Sequence, residues 1–301
     1  MLSILIPVKN YDCHRLIEEL HRQGEQLGTP YEILVGEDGT STDNIELNKI
    51  ADTLPHCRRV VKEQNVGRAA MRNLLAGEAK HPCLIFLDCD AKIEREGFLA
   101  RYAVALETSD VVCGGLYHAD RLPDSSCTLR HKYEKAADKL RDPHTRSKAP
   151  YDKFSTFNFA IKKEIFETIR FDESITRYGH EDTLFGRELE RRGIAIKHID
   201  NSLLHCGLEN NAAYLSKVEQ SLATLAEIKE KMGGTPLTKA ADKLRRYRLT
   251  PLFMLFWRAC RPCLVKNLLG GNPSLTAFNI YKLGYYIKVS KRRRKKQTPQ
   301  M

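Results

Sequence analysis

The chain has 301 residues, 42% hydrophobic and 29% charged, which excludes a disordered chain and gives room for one large α/β domain with or without a tail. Its formal net charge of +11 favours anionic partners, but the run Lys291, Arg292, Arg293, Arg294, Lys295 and Lys296 supplies about half of that excess, so the charge speaks for the tail more than the body. The nine cysteines are irregularly spaced, with Cys260 and Cys263 the single C-x-x-C pair; this excludes a disulfide framework and a four-cysteine zinc site and predicts reduced thiols in a cytosolic protein.

In chain order, residues 3–8 form a continuous apolar run, the mark of a strand covered on both faces. Leu16, Ile17, Leu20 and Leu27 predict a helix over 12–28. A second strand, 32–36, ends in Glu37-Asp38-Gly39-Thr40, and a helix is expected at 43–54. A short strand at 59–61 and a helix over 66–80 follow. The most apolar strand, 83–87, ends in Asp88-Cys89-Asp90. This alternation implies βαβ units and a mostly parallel sheet flanked by helices, with ligands beyond the carboxyl ends of the strands. Further on, strands are expected at 111–115 and 158–161, helices at 163–169 and after Gly179-His180-Glu181-Asp182 as far as Gly193, and a long helix at 212–232. Residues 117–150 read as a polar loop with a helix. Beyond Gly233-Gly234 the composition turns basic and aromatic, placing a boundary near 240.

Five constellations carry chemistry. Along an extended backbone, Asp88 and Asp90 would lie on one side and suit Mg²⁺ or Mn²⁺ with positions left for phosphate oxygens; a capping Asp turn is the alternative. Asp38 at a strand end suits a uracil imide or a ribose hydroxyl, or else starts a turn. In Asn65–Asn73, Gly67 allows close backbone approach and Arg68 and Arg72 share a helix face that reaches a diphosphate or is merely solvated. Glu181 and Asp182 open a helix whose dipole holds them ionised, as a base for an acceptor hydroxyl requires, although acidic residues favour helix starts in any case. His205 either completes a metal site or is a core histidine.

Together these segments resemble the family 2 glycosyltransferases with the type-A, nucleotide-diphospho-sugar transferase fold, over roughly residues 2–208. Residues 3–10 resemble the family's opening strand; Glu37-Asp38-Gly39-Thr40 its D-D-G-S segment, with Glu for the first Asp; and Asn65–Asn73 its N-x-G-x-x-x-A-R-N segment, with Met71 for Ala. Asp88-Cys89-Asp90 is similar to its D-x-D, Gly179-His180-Glu181-Asp182 to its G-x-E-D, and His205 to its late metal-binding histidine. The resemblance implies that Pro7, Asp38 and Gly67 hold the nucleotide-sugar with Arg72, and that Asp88 contacts ribose or metal. It further implies that Asp90 and His205 bind Mn²⁺ or Mg²⁺, that Asp182 is the general base and that Glu181 holds the acceptor. The implied reaction is inverting transfer from a nucleotide-diphospho-sugar, by analogy a UDP-sugar, to a glycan or lipid-linked acceptor in cell-surface polysaccharide or glycolipid synthesis. Residues 1–210 would form the catalytic domain (1–115 the donor half, 116–210 the acceptor half), and 211–301 a helical, basic extension.

No basic n-region precedes the first apolar run, so no signal peptide is expected. No apolar stretch reaches the roughly 18–20 residues of a membrane span. Residues 251–257 with Tyr281, Tyr285, Tyr286 and the Lys/Arg run suit peripheral attachment to the cytoplasmic face of an anionic membrane; a packed helical subdomain is the alternative, and a nucleic-acid arm is disfavoured. A sugar-nucleotide pyrophosphorylase would need a Gly-rich basic loop after the first strand, and a dinucleotide enzyme a G-x-G-x-x-G there; the chain has neither. The competing reading from another class is a non-catalytic sugar-nucleotide or membrane-binding protein.

Overall fold

The computed structural model describes residues 1–41, 46–122, 124–175 and 177–297, with side chains described as far as Lys291. The start of the helix expected at 43–54 and the side chains of Arg292–Lys296 lie outside the described residues. The chain divides into two compact units: Met1–Ala119, Asp138–Thr176 and Glu181–Gly207 form the first, and Asp120–Ala137, Arg177–His180 and Leu208–Met301 the second.

The first unit is built on a seven-stranded sheet of order β3-β2-β1-β4-β8-β6-β9. Its strands are β1 (Leu2–Val8), β2 (Tyr31–Asp38), β3 (Cys57–Lys62), β4 (Cys83–Leu87), β6 (Val111–Cys113), β8 (Asn158–Lys162) and β9 (Ile196–His198). All neighbours pair in parallel except β8, which runs antiparallel to β4 and β6. The apolar runs split by parity, as a period of two requires. Ile4, Ile6, Ile33, Val35, Ile85 and Leu87 enter one core, with Leu16, Ile17 and Leu20 of α1 (His14–Glu25) and Phe98, Leu99 and Tyr102 of α3 (Phe98–Glu107). Leu5, Leu34, Leu84 and Phe86 enter the other, with Met71 and Leu75 of α2 (Arg68–Glu78). There Phe86 stacks on Phe159 at 4.9 Å between centroids. Each unbroken run thus feeds two cores, which is why these strands lack the polar alternation of a half-exposed sheet.

A small second sheet, order β5-β10-β7, joins Ala91–Lys92 (β5), Leu203–His205 (β10) and Leu116–Tyr117 (β7). Its register places His205 opposite Ala91. The remaining helices of this unit include α5 (Pro143–Ser147), α6 (Lys163–Ile169) and α7 (Glu181–Arg191).

The second unit is helical: α4 (Thr128–Asp138, whose last residue counts with the first unit), α8 (Asn211–Ile228), α9 (Pro236–Arg246), α10 (Thr250–Leu268) and α11 (Leu275–Gln297). Thr235 caps α9 in a reciprocal capping box and Pro236 opens it, a strong start signal. Position 240, where the composition turns basic and aromatic, lies within α9. Trp257 on α10 is 2% exposed and lies so close to Gly284 on α11 that a Cβ there would meet the indole at 2.1 Å. Among the described residues no helix is long and apolar enough to cross a membrane.

Candidate active site

The carboxyl ends of β1, β2 and β4 carry Pro7, Asp38 and the Asp88–Asp90 segment. Pro7 sits in the β1–β2 ladder opposite Gly36. Asp38 is buried and accepts two backbone N–H groups, from Val66 at 2.6 Å and Gly67 at 3.0 Å. This clamp holds the loop that opens α2. Gly67 has φ +95° with open space where a side chain would be, so its glycine is required by backbone conformation rather than close approach. Glu37, in place of the family's first Asp, is fully buried and points elsewhere. It accepts from Asn48 Nδ2 at 2.9 Å, and Asn48 also binds the Cys13 N–H and the Tyr11 carbonyl, both at 2.9 Å. Burial pushes the Glu37 carboxyl up, against hydrogen bonds from Thr40 and Asn48. The Glu departure is thus a brace for the loop after β1.

Asp88-Cys89-Asp90 is a turn, closed by the Ala91 N–H on the Asp88 carbonyl at 3.1 Å, rather than the extended segment expected. The chain must reverse there from β4 into β5, and the two carboxylates go to different partners. Asp88 Oδ1 receives Arg72 Nη2 at 2.6 Å. Asp90 Oδ2 lies 3.1 Å from His205 Nε2. The β5–β10 register creates that second pairing, with Cys206 N–H on the Asp90 carbonyl at 2.9 Å. Gly207 leaves the room: a Cβ there would stand 2.0 Å from Asp90 Oδ2.

Arg72 is 2% exposed, so the solvated-face alternative is overturned for it. Besides Asp88 it approaches Glu181 at 4.0 Å, while the more exposed Arg68 reaches Glu181 at 3.5 Å. Burial alone would raise the Glu181 carboxyl; Arg72 and Arg68 outweigh it and hold it below the usual carboxylate range. Buried Nε and Nη1 of Arg72 have no hydrogen-bond acceptor among the described residues. Asp182 accepts the Thr183 N–H at 2.7 Å in the first turn of α7. Five predicted residues therefore fall into two clusters, Arg72–Asp88–Glu181 and Asp90–His205. Gly67 immediately precedes α2, which carries Arg72, and Asp182 follows Glu181 in the first turn of α7.

Sequence reasoning missed the residues that hold His205 in place. Its ring stands 5.1 Å from both Phe157 and His118. His118 Nδ1 pairs with Asp138 at 3.0 Å, and Arg141 reaches the same carboxylate at 2.6 Å. Burial pushes the Asp138 carboxyl up, but those two partners hold it below the ordinary range. Buried Arg146 spans the ends of β6 and β9 through the Cys113, Gly114 and Ile199 carbonyls. Tyr11 was also missed; burial first, then the Asp90 charge, push its hydroxyl up and keep it protonated. None of these residues sits in a short motif, so their signal was a buried polar side chain that only the fold reveals.

Among the described residues no cluster of three or more His, Cys, Asp and Glu side chains converges on one point. The Asp90–His205 pair nonetheless fits a divalent ion: a hard oxygen and an imidazole nitrogen 3.1 Å apart match two adjacent ligands of an octahedral ion with bonds of about 2.1 Å.

A glycosyl transferase family 2 model matches residues 3–170, more than half of the chain. The chain belongs to that family. Curated relatives of this family 2 transferase include chondroitin synthase of Escherichia coli, 24% identical over 238 residues, and chondroitin synthase of Pasteurella multocida (strain Pm70), 25% identical over 240 residues. Both matches take 68% of this chain but span 34% and 24% of the relatives' lengths. Among solved structures, the mannosyltransferase PcManGT from Pyrobaculum calidifontis in complex with GDP-Man and Mn²⁺ has a TM-score of 0.56 at 16% identity, covering 97% of this chain and 86% of that one. S. aureus TarS 1-349 in complex with UDP-GlcNAc has a TM-score of 0.51 at 15% identity, covering 99% and 93%. The family 2 transferase thus shares the expected mixed α/β, type-A fold.

Proposed function

We propose that this family 2 protein catalyses inverting, metal-dependent transfer of a sugar from a nucleotide-diphospho-sugar, a UDP-sugar by preference, to an acceptor hydroxyl in polysaccharide or glycolipid synthesis. The observation that carries the reading is the Asp90–His205 pair at 3.1 Å, created by the small sheet just beyond β4. The complexes of PcManGT with GDP-Man and Mn²⁺ and of TarS with UDP-GlcNAc support it by likeness of fold.

In this reading Pro7, Asp38 and the Gly67 loop wall the nucleoside. Arg72 spends one N–H on Asp88 and offers its buried, unspent N–H groups to the diphosphate. Asp88 orients Arg72 and contacts the ribose or the metal. Asp90 and His205 would hold Mn²⁺ or Mg²⁺, which when bound would supply Lewis-acid stabilisation of charge on the departing nucleotide diphosphate. Glu181, held anionic by Arg72 and Arg68, accepts a hydrogen bond from an acceptor hydroxyl. Asp182 takes the proton of the attacking hydroxyl. Residues 1–115 form the donor half, 116–210 the acceptor half, and 211–301 the extension. Exposed Leu252, Leu255 and Phe256 on α10 support peripheral attachment of that extension to a membrane surface, whereas Trp257, Tyr281 and Tyr286, expected to take part, are buried in helix packing.

Asp182→Asn tests the assignment. Turnover should fall by about 10²–10⁴-fold, the ordinary worth of a general base, with donor binding retained. Unchanged turnover would remove Asp182 from the reaction; donor binding with no turnover in the unaltered protein would favour a binding protein.

A further inference from the structure

The second unit contains a pocket of its own, about 780 Å³, within the ordinary range of a small-molecule site. Its walls come from α4, α8, α9, α11 and the segment Tyr178–His180. The segment is drawn tightly onto α8: a Cβ on Gly179 would meet Ser221 Oγ at 2.7 Å, and His180 Nε2 lies 3.0 Å from the same hydroxyl.

Charge in this pocket is one-sided. Arg130, Lys217 and Lys282 line it against one carboxylate, Glu134. Each cation rests on an aromatic ring of the same wall. Arg130 is 5.6 Å from the Tyr214 centroid, Lys217 5.4 Å from Tyr178, and Lys282 4.6 Å from Tyr133 and 4.5 Å from Phe278. Arg130 and Lys217 both pair with the Glu209 carboxylate. Lys282 forms no hydrogen bond or ion pair among the described residues; the rings are its support. Burial pulls its ammonium down to about 8, with Glu134 pulling the other way. A half-buried ammonium that rests on ring faces, with the Glu134 charge acting on it but no hydrogen bond or ion pair, is poorly compensated, and an anion in the pocket would complete it.

We propose that this pocket binds an anionic sugar unit of the acceptor, a carboxylated or phosphorylated saccharide whose acidic group meets Lys282. Side chains of Asn279 and Thr276 in the same lining suit sugar hydroxyls and would be left unpaired by an acyl chain. His180 lines this pocket and directly precedes Glu181 and Asp182 in the chain. The role as acceptor site rests on the transferase reading above; the binding itself does not.

The test is calorimetry on the full chain with three probes: a tetrasaccharide containing glucuronic acid, its carboxyl-reduced neutral form, and glucose 6-phosphate. The unaltered protein should prefer an acidic probe to the neutral one by at least about tenfold, the worth of one charge-assisted hydrogen bond. Tighter uronate or tighter phosphate binding then tells which anion the site takes. Lys282→Met should abolish the preference and Lys282→Arg should keep most of it. Equal binding of acidic and neutral probes, binding of none, or a preference that survives Lys282→Met overturns the assignment. Thermal unfolding of Lys282→Met checks that the variant is folded, and metal-dependent nucleotide release is measured on the unaltered protein. Its absence from the unaltered protein would sink the transferase reading instead, leaving the calorimetry to judge the pocket alone.

Discussion

Asp90 is held by its surroundings more than by its motif. The Cys206 N–H fixes its carbonyl, His205 faces its carboxylate, and Gly207 leaves the space its Oδ2 occupies. Gly207→Ala should therefore push the carboxylate off His205 and weaken Mn²⁺ binding by about 10–100-fold, as loss of ligand orientation does, with the far-UV spectrum unchanged. An isotherm for Mn²⁺ checks this, and unaltered affinity would mean that Asp90 is not a ligand. The second residue-scale prediction concerns Glu181. Its folded pKa is depressed, so its carboxylate adds stability above the unfolded value of about 4.3 and loses it as pH falls through the folded value. Arg72→Met removes the larger opposing charge and leaves burial dominant. Urea unfolding should show a loss of about 3–5 kcal/mol at pH 7, the cost of breaking a buried pair, and part of that loss should be regained on acidification, because a carboxyl whose folded pKa is raised by burial is relieved as it protonates. The five motifs pointed to Asp90, His205, Arg72 and Glu181 because charged side chains at strand ends and helix starts are visible in a sequence. They did not show that Asp88 and Asp90 part company, since that follows from a turn geometry which two Asp residues one apart do not specify.

At the scale of elements, the apolar strands were legible because each is buried on both faces and carries no polar interruption. The antiparallel β8 was expected as a strand, but its direction was not, because direction depends on connections rather than on pattern. The two-residue strands β5 and β7 left no periodicity to read, yet they bring His205 to Asp90. In the helical unit, the approach of α10 to α11 is set by Gly284 beneath Trp257. A methyl group there cannot be accommodated by a rigid indole without moving a helix. Gly284→Ala should cost about 1–3 kcal/mol, as overpacking does, despite alanine's better helix propensity. Thermal unfolding measures it; a stabilised variant would show that the helices are free to part.

The molecule as a whole is two units whose borders cross the chain several times. Asp120–Ala137 and Arg177–His180 belong with the C-terminal helices although the sequence surrounds them with residues of the first unit. Composition cannot show this, because a chain that leaves one unit and returns alters no residue statistics. The exposed Leu252, Leu255 and Phe256 make a claim at this scale too. Replacing all three by Ser should cut sedimentation with anionic vesicles several-fold, given about 25 cal/mol per Å² of apolar surface buried on docking; undiminished sedimentation would take the membrane role from α10.

The central claim is that a metal at Asp90 and His205 serves transfer from a nucleotide-sugar. The direct measurement is nucleotide release from a panel of nucleotide-sugars with Mn²⁺, Mg²⁺ or EDTA, for the unaltered protein and Asp90→Ala. The account predicts release from one donor that needs the metal and is lost in Asp90→Ala. Release that persists in EDTA and in the variant, or a complete lack of release and of metal-dependent nucleotide binding, would contradict it.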